Sequence, residues 1–509
     1  MWSCCLHIPE TFCLWAILLL PFFVDGAPKG NVLLFFVDDG GFMQSSYNNT
    51  VCNTPNLDKL AAQSVVFRNG YTSVSSCSPS RSVLLTGLPQ HQNGMYGLKH
   101  SVHHFQSFDA VRSLPAILSQ HNIRTGLIGK KHLAPESVYT FDYERSEAQY
   151  NQDQIGRNIT FMKQFVREFL NQKDDRPFFL YIAFFDTHRG NGSNQSYFGP
   201  FMNNWGNGQP GMGVIEDWKP QTYDPASVIV PYFLPDTPAT RQDIAAMYTS
   251  FNRMDQGVGL FLQELKAAGH WDNTLILFTA DNGIPFPNAK TNLYEPGMGE
   301  PMMMSSPFHK ENWGKFSNAL ASTMDFAPTI LDWFNISFPH YSLNGEKVSL
   351  TGQSLLPLAA DPDASGFTHV FSSHNFHEIT MAYSMRVIRN EQYRLIHNIN
   401  HRAPYPIATD IYTSWTFLDI LNRTKSGQPT NWFKDLRQYY YRDEWELFDL
   451  ENDPQELKNY AYDPGYAQVF KQLNETLAQW LLSTGDPWMC MPHGVLFGGE
   501  CYPMYNDEL

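Results

Sequence analysis

Positive charge is in short supply in this chain: 35 Lys and Arg stand against 50 Asp and Glu, a formal net charge of −15 over 509 residues. Long nucleic acids need a basic face on their partner, so this balance argues against nucleic-acid binding. It argues equally against a broad track for a polyanion. A small cationic pocket for one terminal anionic group stays compatible with it, and a chain-end enzyme suits the charge better than a chain-gripping one. Long apolar runs are also missing. Leu14–Val24 is apolar but for Pro21, and no later segment reaches about 18 apolar residues, so no membrane span is expected and the mature protein is expected to be soluble. Residues 1–26 read as a signal peptide with a cleavage site at Val24-Asp25-Gly26, although no Lys or Arg precedes the apolar run.

Repeats and low-complexity linkers are absent as well. With 43% hydrophobic and 17% charged residues, the chain is globular and not disordered. Cysteine is sparse, seven in all, and Cys4, Cys5 and Cys13 fall in the leader. Cys490 and Cys501 lie close together near the end and can pair in an oxidising compartment. Cys52 and Cys77 remain, and sequence alone allows those two to pair as well. What is plentiful is the Asn-x-Ser/Thr triplet, at Asn48, Asn158, Asn191, Asn194, Asn335, Asn422 and Asn474. Beside a leader peptide these are candidate glycosylation sites.

The first two-thirds alternates apolar runs with helical patterns, as parallel-sheet α/β domains do. Asn31–Val37 is a continuous apolar run, expected for a strand buried on both faces, and it ends in Asp38-Asp39-Gly40. Thr54-Pro55 opens a helix to about Gln63, with Thr54 as the expected cap. A helix over Leu114–His121 leads into the strand Thr125–Ile128, which ends in Gly129-Lys130-Lys131-His132. A helix over Asn158–Gln172 leads into Phe178–Phe185 and then Asp186-Thr187-His188. A long helix from about Ala239 to Ala268 leads into Thr274–Thr279, followed by Asp281-Asn282-Gly283. Ligands of open α/β sheets bind beyond the carboxyl ends of the strands. If these four strands are parallel neighbours, their polar ends converge. After about residue 366 the texture changes. Tyr393–Ile399 and Trp445–Leu450 read as strands among aromatic-rich loops, and Ala467–Leu482 as a closing helix. The expectation is a large α/β domain over 27–366 and a smaller α+β domain over 367–509.

Cys77-Ser78-Pro79-Ser80-Arg81 is the most informative segment. Ser78 can cap a helix with Pro79 in its first position, and Gly87 can end it. Cys77 then sits at a helix amino terminus, which favours anions, with Arg81 one turn later on the same side. A small buried or disulfide-bonded Cys beside a capped helix accounts for these residues too, and an activated thiolate is the next reading. Asp38, Asp39, Asp281 and Asn282 offer only oxygen, a shell for a hard cation such as Ca²⁺. Taken singly, Asp38-Asp39-Gly40 is a polar turn and Asp281-Asn282-Gly283 an Asn-Gly turn.

Cys77-x-Pro79-x-Arg81, with Leu84 and Thr86-Gly87 downstream, resembles the signature of the sulfatase family. Gly129-Lys130-Lys131-His132 resembles its second signature. Glu446-Leu447-Phe448-Asp449-Leu450, with Asp453-Pro454 and Glu456, resembles its carboxyl-terminal one. Ser73–Leu98, Met254–Gly259, Asp281–Pro287 and Thr291–Tyr294 look like the branch of that family that acts on N-linked sulfate. The resemblance implies an alkaline-phosphatase-like fold: a large, mostly parallel central sheet flanked by helices, plus a smaller domain with an antiparallel sheet. It implies that Cys77 is oxidised to formylglycine by the formylglycine-generating enzyme before folding finishes. It implies one Ca²⁺ per subunit on Asp38, Asp39, Asp281, Asn282 and the modified Cys77. One hydroxyl of the hydrated aldehyde, polarised by the metal and Arg81, would attack sulfur, and the second would later expel sulfate. Lys130 and Lys290 would hold sulfate oxygens, and His188 or His132 would protonate the leaving group. His377 and Glu378 fall in a segment that the resemblance places near the substrate. The implied substrate is a heparan sulfate-derived oligosaccharide ending in N-sulfoglucosamine, with an O-sulfatase on a sugar sulfate ester as the alternative. A non-catalytic relative and a phosphatase relative are weaker readings, because the whole catalytic set is present and a phosphatase would normally use Ser or Thr with more than one metal. A homodimer is implied, and the lysosome as destination. The ending Asn506-Asp507-Glu508-Leu509 resembles a reticular retrieval tail without its usual Lys or His.

Overall fold

The computed structural model describes residues 30–190 and 199–504. The segment 1–26 read as a signal peptide, the sequons at Asn191 and Asn194 and the terminal Asn506–Leu509 lie outside the described residues. An eight-stranded sheet forms the centre, in the order β4-β3-β5-β1-β6-β7-β2-β8. Its strands are β1 (Asn31–Val37), β2 (Val65–Tyr71), β3 (Arg124–Gly129), β4 (Tyr143–Ser146), β5 (Phe178–Ala183), β6 (Thr274–Ala280), β7 (Met302–Ser305) and β8 (Phe316–Ser322). β1 pairs in parallel with β5 and β6, and β3 pairs in parallel with β4 and β5. Only β7 runs against its neighbours β6 and β2.

The sequence reading anticipates β1, β3, β5 and β6 and their helices closely. β1, β5 and β6 are buried at every residue, as strands covered on both faces must be. Alternate side chains of β1 serve two separate cores. Leu33, Phe35 and Val37 pack with the helices Ile159–Leu170 and Pro238–Ala267. Val32, Leu34 and Phe36 pack with Leu84 and Leu85 of the helix Cys77–Thr86 and with Ile330 of the helix Phe326–Trp333. Asn158 caps its helix by accepting from Phe161 N at 3.1 Å, and Thr237 caps the long one by accepting from Thr240 N at 3.3 Å.

Two capping expectations need correction. Thr54 does not cap the helix Pro55–Ala61; its hydroxyl instead accepts from Ser45 N at 3.0 Å. Ser78 is not the cap of the Cys77 helix. That helix begins at Cys77 itself, with Ser76 in extended backbone before it and Pro79 inside the first turn. Pro tolerates any first-turn position because those N–H groups lack helical partners. Gly87 ends the helix as expected, at φ 69°.

A short hairpin, β9 (Ser342–Leu343) and β10 (Glu346–Lys347), precedes a second sheet. This is antiparallel, in the order β11 (Val370–Phe376), β12 (Ala382–Arg389), β13 (Tyr393–Asn398), β14 (Trp445–Asp449). Leu473, Leu477 and Trp480 of the helix Ala467–Ser483 pack on Ile388, Leu395 and Leu447, and the same core takes in Val83 from the back of the Cys77 helix. The second sheet therefore braces the element that carries Cys77. Cys490 and Cys501 are disulfide-bonded across the base of the hairpin β15 (Gly494–Phe497) and β16 (Glu500–Pro503). Among the described residues, no helix is long and apolar enough to cross a membrane. Asn48, Asn335 and Asn422 are exposed and Asn158 and Asn474 half-buried.

Candidate active site

Four parallel strands deliver their carboxyl ends to one place. Asp38 and Asp39 follow β1, and Asp281 and Asn282 follow β6. Lys130 follows β3, and the Asp186–His188 segment follows β5. Asp39 adopts a left-handed backbone at φ 53°, which Asp and Asn tolerate better than most residues. Gly129 is required: at φ +112°, a Cβ there would lie 1.8 Å from the Ala183 carbonyl oxygen. The strand ends are stitched together. Asp39 N donates to Asp281 Oδ1 at 3.0 Å, and Thr187 N donates to the Asp38 carbonyl at 2.7 Å.

Within this cradle three buried cations meet four buried carboxylates. Arg81 donates to Asp281 Oδ2 at 2.7 Å and to Asp38 Oδ1 at 3.3 Å. Lys130 Nζ donates to Asp38 Oδ2 at 2.5 Å. Lys290 Nζ donates to Asp39 Oδ2 and to Asp410 Oδ2, each at 2.9 Å. Burial pushes Asp38 up, but Lys130, His188 and Arg81 outweigh it and hold the carboxyl well below its usual range. Burial and then Asp38 push Asp281 up to about 8. The two cannot both ionise cheaply at this spacing without more positive charge between them.

That deficit bears on a metal. Cys77 Sγ and one oxygen each of Asp38 and Asp281 lie within 4.8 Å of one another, as do ligand atoms of Asp39, Cys77 and His188. Asn282 donates its amide to Asp39 Oδ1 at 2.7 Å and leaves its own buried Oδ1 without a partner. Crowded carboxylates and an orphaned amide oxygen are the donor set of a hard divalent cation, so the residues fit one.

Cys77 is buried and free, at the amino terminus of its helix. Cys52 is buried and free elsewhere, so the open possibility of a bridge between the two is not realised. Burial pushes the Cys77 thiol well up, against the pull of Lys130 and Lys290. Its surroundings thus do not favour a thiolate nucleophile.

The histidines divide by access. His188 borders a cavity of about 270 Å³ together with His377, Glu378, Asp410, His100 and His103. Its Nδ1–H donates to the Arg189 carbonyl at 2.7 Å, which leaves Nε2 free to face Asp39 and Asp410, 3.8 Å from each. His132 is buried behind the cavity and pairs with His100 through nitrogens 2.7 Å apart. Burial first, then Lys290, lowers His188, and burial then Lys130 lowers His132. His377 contacts Ser76 Oγ at 2.8 Å, beside the Cys77 helix. Glu378 accepts from Thr409 N at 2.9 Å and from Thr409 Oγ1 at 2.8 Å.

Sequence reasoning missed several contributors. Asp410 sits in the four-residue helix Thr409–Tyr412, too short to leave a periodic signal. His100 and His103 belong to a run, His100-Ser101-Val102-His103-His104, whose histidine density was the available hint. Asp186 is clamped by Arg157 at 2.5 Å and by Arg253 at 2.6 and 2.8 Å, which fixes the turn that carries His188.

Buried cations and carboxylates gathered at the strand ends of an α/β sheet, beside a small cavity, suit a site for an anionic group, and the comparisons give the class. The sulfatase family model matches residues 30–336, and that for the carboxyl-terminal part of N-sulphoglucosamine sulphohydrolase matches 288–411 and 411–482. The chain belongs to the sulfatase family and is a hydrolase of it. It is 55% identical over 495 residues to human N-sulphoglucosamine sulphohydrolase, covering 96% of this chain and 98% of the relative. An ulvan-active sulfatase of Formosa agariphila is 27% identical over 488 residues, 90% of this chain and 76% of its own. A solved complex with D-glucosamine-2-N, 6-O-disulfate shares the fold at TM-score 0.63 and 20% identity, over 90% of this chain and 98% of its own. So does the phosphonate monoester hydrolase of Agrobacterium radiobacter, at TM-score 0.62 and 18% identity, over 89% of this chain and 96% of its own. Membership of the sulfatase family implies a formylglycine from the signature cysteine and a bound metal.

Proposed function

We propose that this chain hydrolyses the N-linked sulfate of non-reducing-end N-sulfoglucosamine in heparan sulfate-derived oligosaccharides. The observation that carries the reading is the 55% identity, over 96% of the chain, to a human enzyme named for that activity. The acidic net charge and the small cavity beside the strand ends agree with a chain-end substrate. Formylglycine at position 77, as its hydrate, and Ca²⁺ among Asp38, Asp39, Asp281 and Asn282 would supply a nucleophilic oxygen and charge neutralisation at sulfur.

The chain's own residues do the rest. Arg81 spans Asp38 and Asp281 and fixes their oxygens. The Lys130 and Lys290 ammonium groups meet sulfate oxygens as point charges. His188 is the better acid than His132, because its Nε2 borders the cavity while its Nδ1 proton is committed to a carbonyl. It protonates the departing nitrogen from Nε2. The lowering of His188 makes this acid available only on the acidic side, which suits a lysosomal destination reached through the secretory pathway. His132 supports the site from behind. Cys77 is 1% exposed, so its oxidation by the formylglycine-generating enzyme has to precede folding. We read 27–366 as the catalytic domain and 367–509 as its brace, and a homodimer with glycans on the exposed sequons as the mature form.

The test is sulfate release from N-sulfoglucosamine against 6-O-sulfoglucosamine by matured protein. Preference for the first is expected; preference for the second would install the O-sulfatase reading.

A further inference from the structure

The cavity has two unlike sides. Behind His188, on its inner side, lies the buried cationic cradle of Lys130, Lys290 and Arg81. The cavity's outer wall carries the carboxylates of Asp410 and Glu378, and among the described residues lining the cavity there is no Lys or Arg. Asp410 is 7% exposed at its side chain and reaches the cavity. Its Oδ1 accepts from Ile411 N at 2.8 Å, and its Oδ2 from Lys290 at 2.9 Å. A carboxylate offers about four lone-pair sites, so acceptor capacity remains. Burial raises Asp410, but Lys290, His188 and His377 outweigh it and hold the carboxyl below its usual range. The His188 ring and the Lys290 ammonium lie between this anion and the reacting position: a His188 nitrogen lies within 4.8 Å of Cys77 Sγ, Nε2 lies 3.8 Å from Asp410 Oδ2, and Lys290 Nζ bridges Asp410 and Asp39 at 2.9 Å each.

The sign of charge at the bridging atom then matters. In sulfamate hydrolysis, water adds across the S–N bond. Sulfur keeps the oxygen as sulfate, and nitrogen leaves with the bonding pair and a proton as an amine, which becomes an ammonium in acid. In ester hydrolysis the bridging oxygen likewise takes the bonding pair and one proton, but the alcohol so formed stays neutral and gains no positive charge. A fixed anion beside that atom favours the first course over the second.

We infer that Asp410, with Glu378 bracing its turn through Thr409, selects an amine over a hydroxyl as the leaving group. The inference rests on the N-sulfate reading above and gives that reading a determinant within the site.

Two measurements test it. In matured full-length protein, Asp410→Asn is expected to cut kcat/KM for N-sulfoglucosamine by about tenfold to a hundredfold. Hydrolysis of N-acetylglucosamine 6-sulfate should hold or rise, so the ratio contracts. Equal losses on both substrates would reduce Asp410 to a prop for Lys290 and overturn the inference. The second measurement needs neither turnover nor a variant. Calorimetry on wild-type protein at acidic pH should show glucosamine binding about tenfold more tightly than N-acetylglucosamine. Equal affinity would also overturn the inference. A wild type that releases no sulfate from N-sulfoglucosamine would instead sink the function, with the binding contrast still readable.

Discussion

The floor and the outer wall of the cavity are built from different material, and the contrast separates chemistry from choice. The floor lies behind the cavity, is built from the ends of the central strands, the Cys77 helix and the loop after β6, is buried, and sets Arg81, Lys130 and Lys290 against Asp38, Asp39 and Asp281. The wall comes from the segment after β11 and the turn at Thr409–Asp410, mixes buried Asp410 with partly exposed Glu378 and exposed Thr409, and carries carboxylates. Interactions with the sulfate group recur for any sulfated substrate, so floor residues should govern rate on every substrate. Wall residues meet the leaving group and should govern only the ratio between substrates.

The largest break should come from Cys77→Ser. It can accept a sulfate but offers no second hydroxyl to expel it, so multiple turnover should fall by about four orders of magnitude or more on both substrates. Steady-state and single-turnover assays would separate that from a loss of binding, and full multiple turnover would refute the scheme. Chelation comes next. Removing the divalent ion should abolish turnover reversibly and lower the melting temperature, because Asp38, Asp39 and Asp281 are left facing one another without it. A chelated protein with unchanged melting would mean that no ion sits there. His188→Gln should cost about a hundredfold or more in kcat. In wild type, activity should fall as pH rises through the lowered His188 value, and the variant should lose that limb. A variant that keeps it would move the acid to another group.

The smallest effect lies away from the cavity and sharpens the contrast by control. Asp325 accepts from Ser322 N at 2.7 Å and Gln353 N at 2.8 Å, and burial pushes it up to about 7. Its folded value exceeds its unfolded one, so the folded state holds the proton longer. The stability it contributes is present below about pH 4 and is lost as pH rises to about 7, at roughly 1.4 kcal/mol per pH unit. Relative to Asp325→Asn, wild type should therefore melt progressively lower between pH 5 and 7, with no change in substrate ratio. A constant gap would deny that the group titrates in this window.

Most of the floor was legible in the sequence because strand ends carry local signals. A continuous apolar run such as Asn31–Val37 stops at Asp38-Asp39, and Thr274–Ala280 at Asp281-Asn282. The Cys77 motif and its resemblance then say what those ends are for. The helices expected over Asn158–Gln172 and about Ala239–Ala268 are found at Ile159–Leu170 and Pro238–Ala267, one or two residues off at their ends. The short β4 and β7, the half-exposed β2 and β8, and β11 and β12 of the second sheet had no such signal. Arg68 is exposed inside β2, and β8 begins with exposed Phe316, so neither reads as a buried strand. The wall was hidden for another reason. Asp410 enters the cavity through the path of the loop after β13, and its partner Lys290 is 120 residues away in the chain. Glu378 was singled out by resemblance alone. The Ser78 cap failed because Pro79 is tolerated at more than one first-turn position.

The claim on which all this depends is the chemical state of residue 77. Mass spectrometry of the tryptic peptide Asn69–Arg81 from active, full-length protein reads it directly. The account predicts an aldehyde that captures a hydrazide probe and resists alkylation. A peptide that alkylates quantitatively as a thiol, in material with full activity, would contradict it.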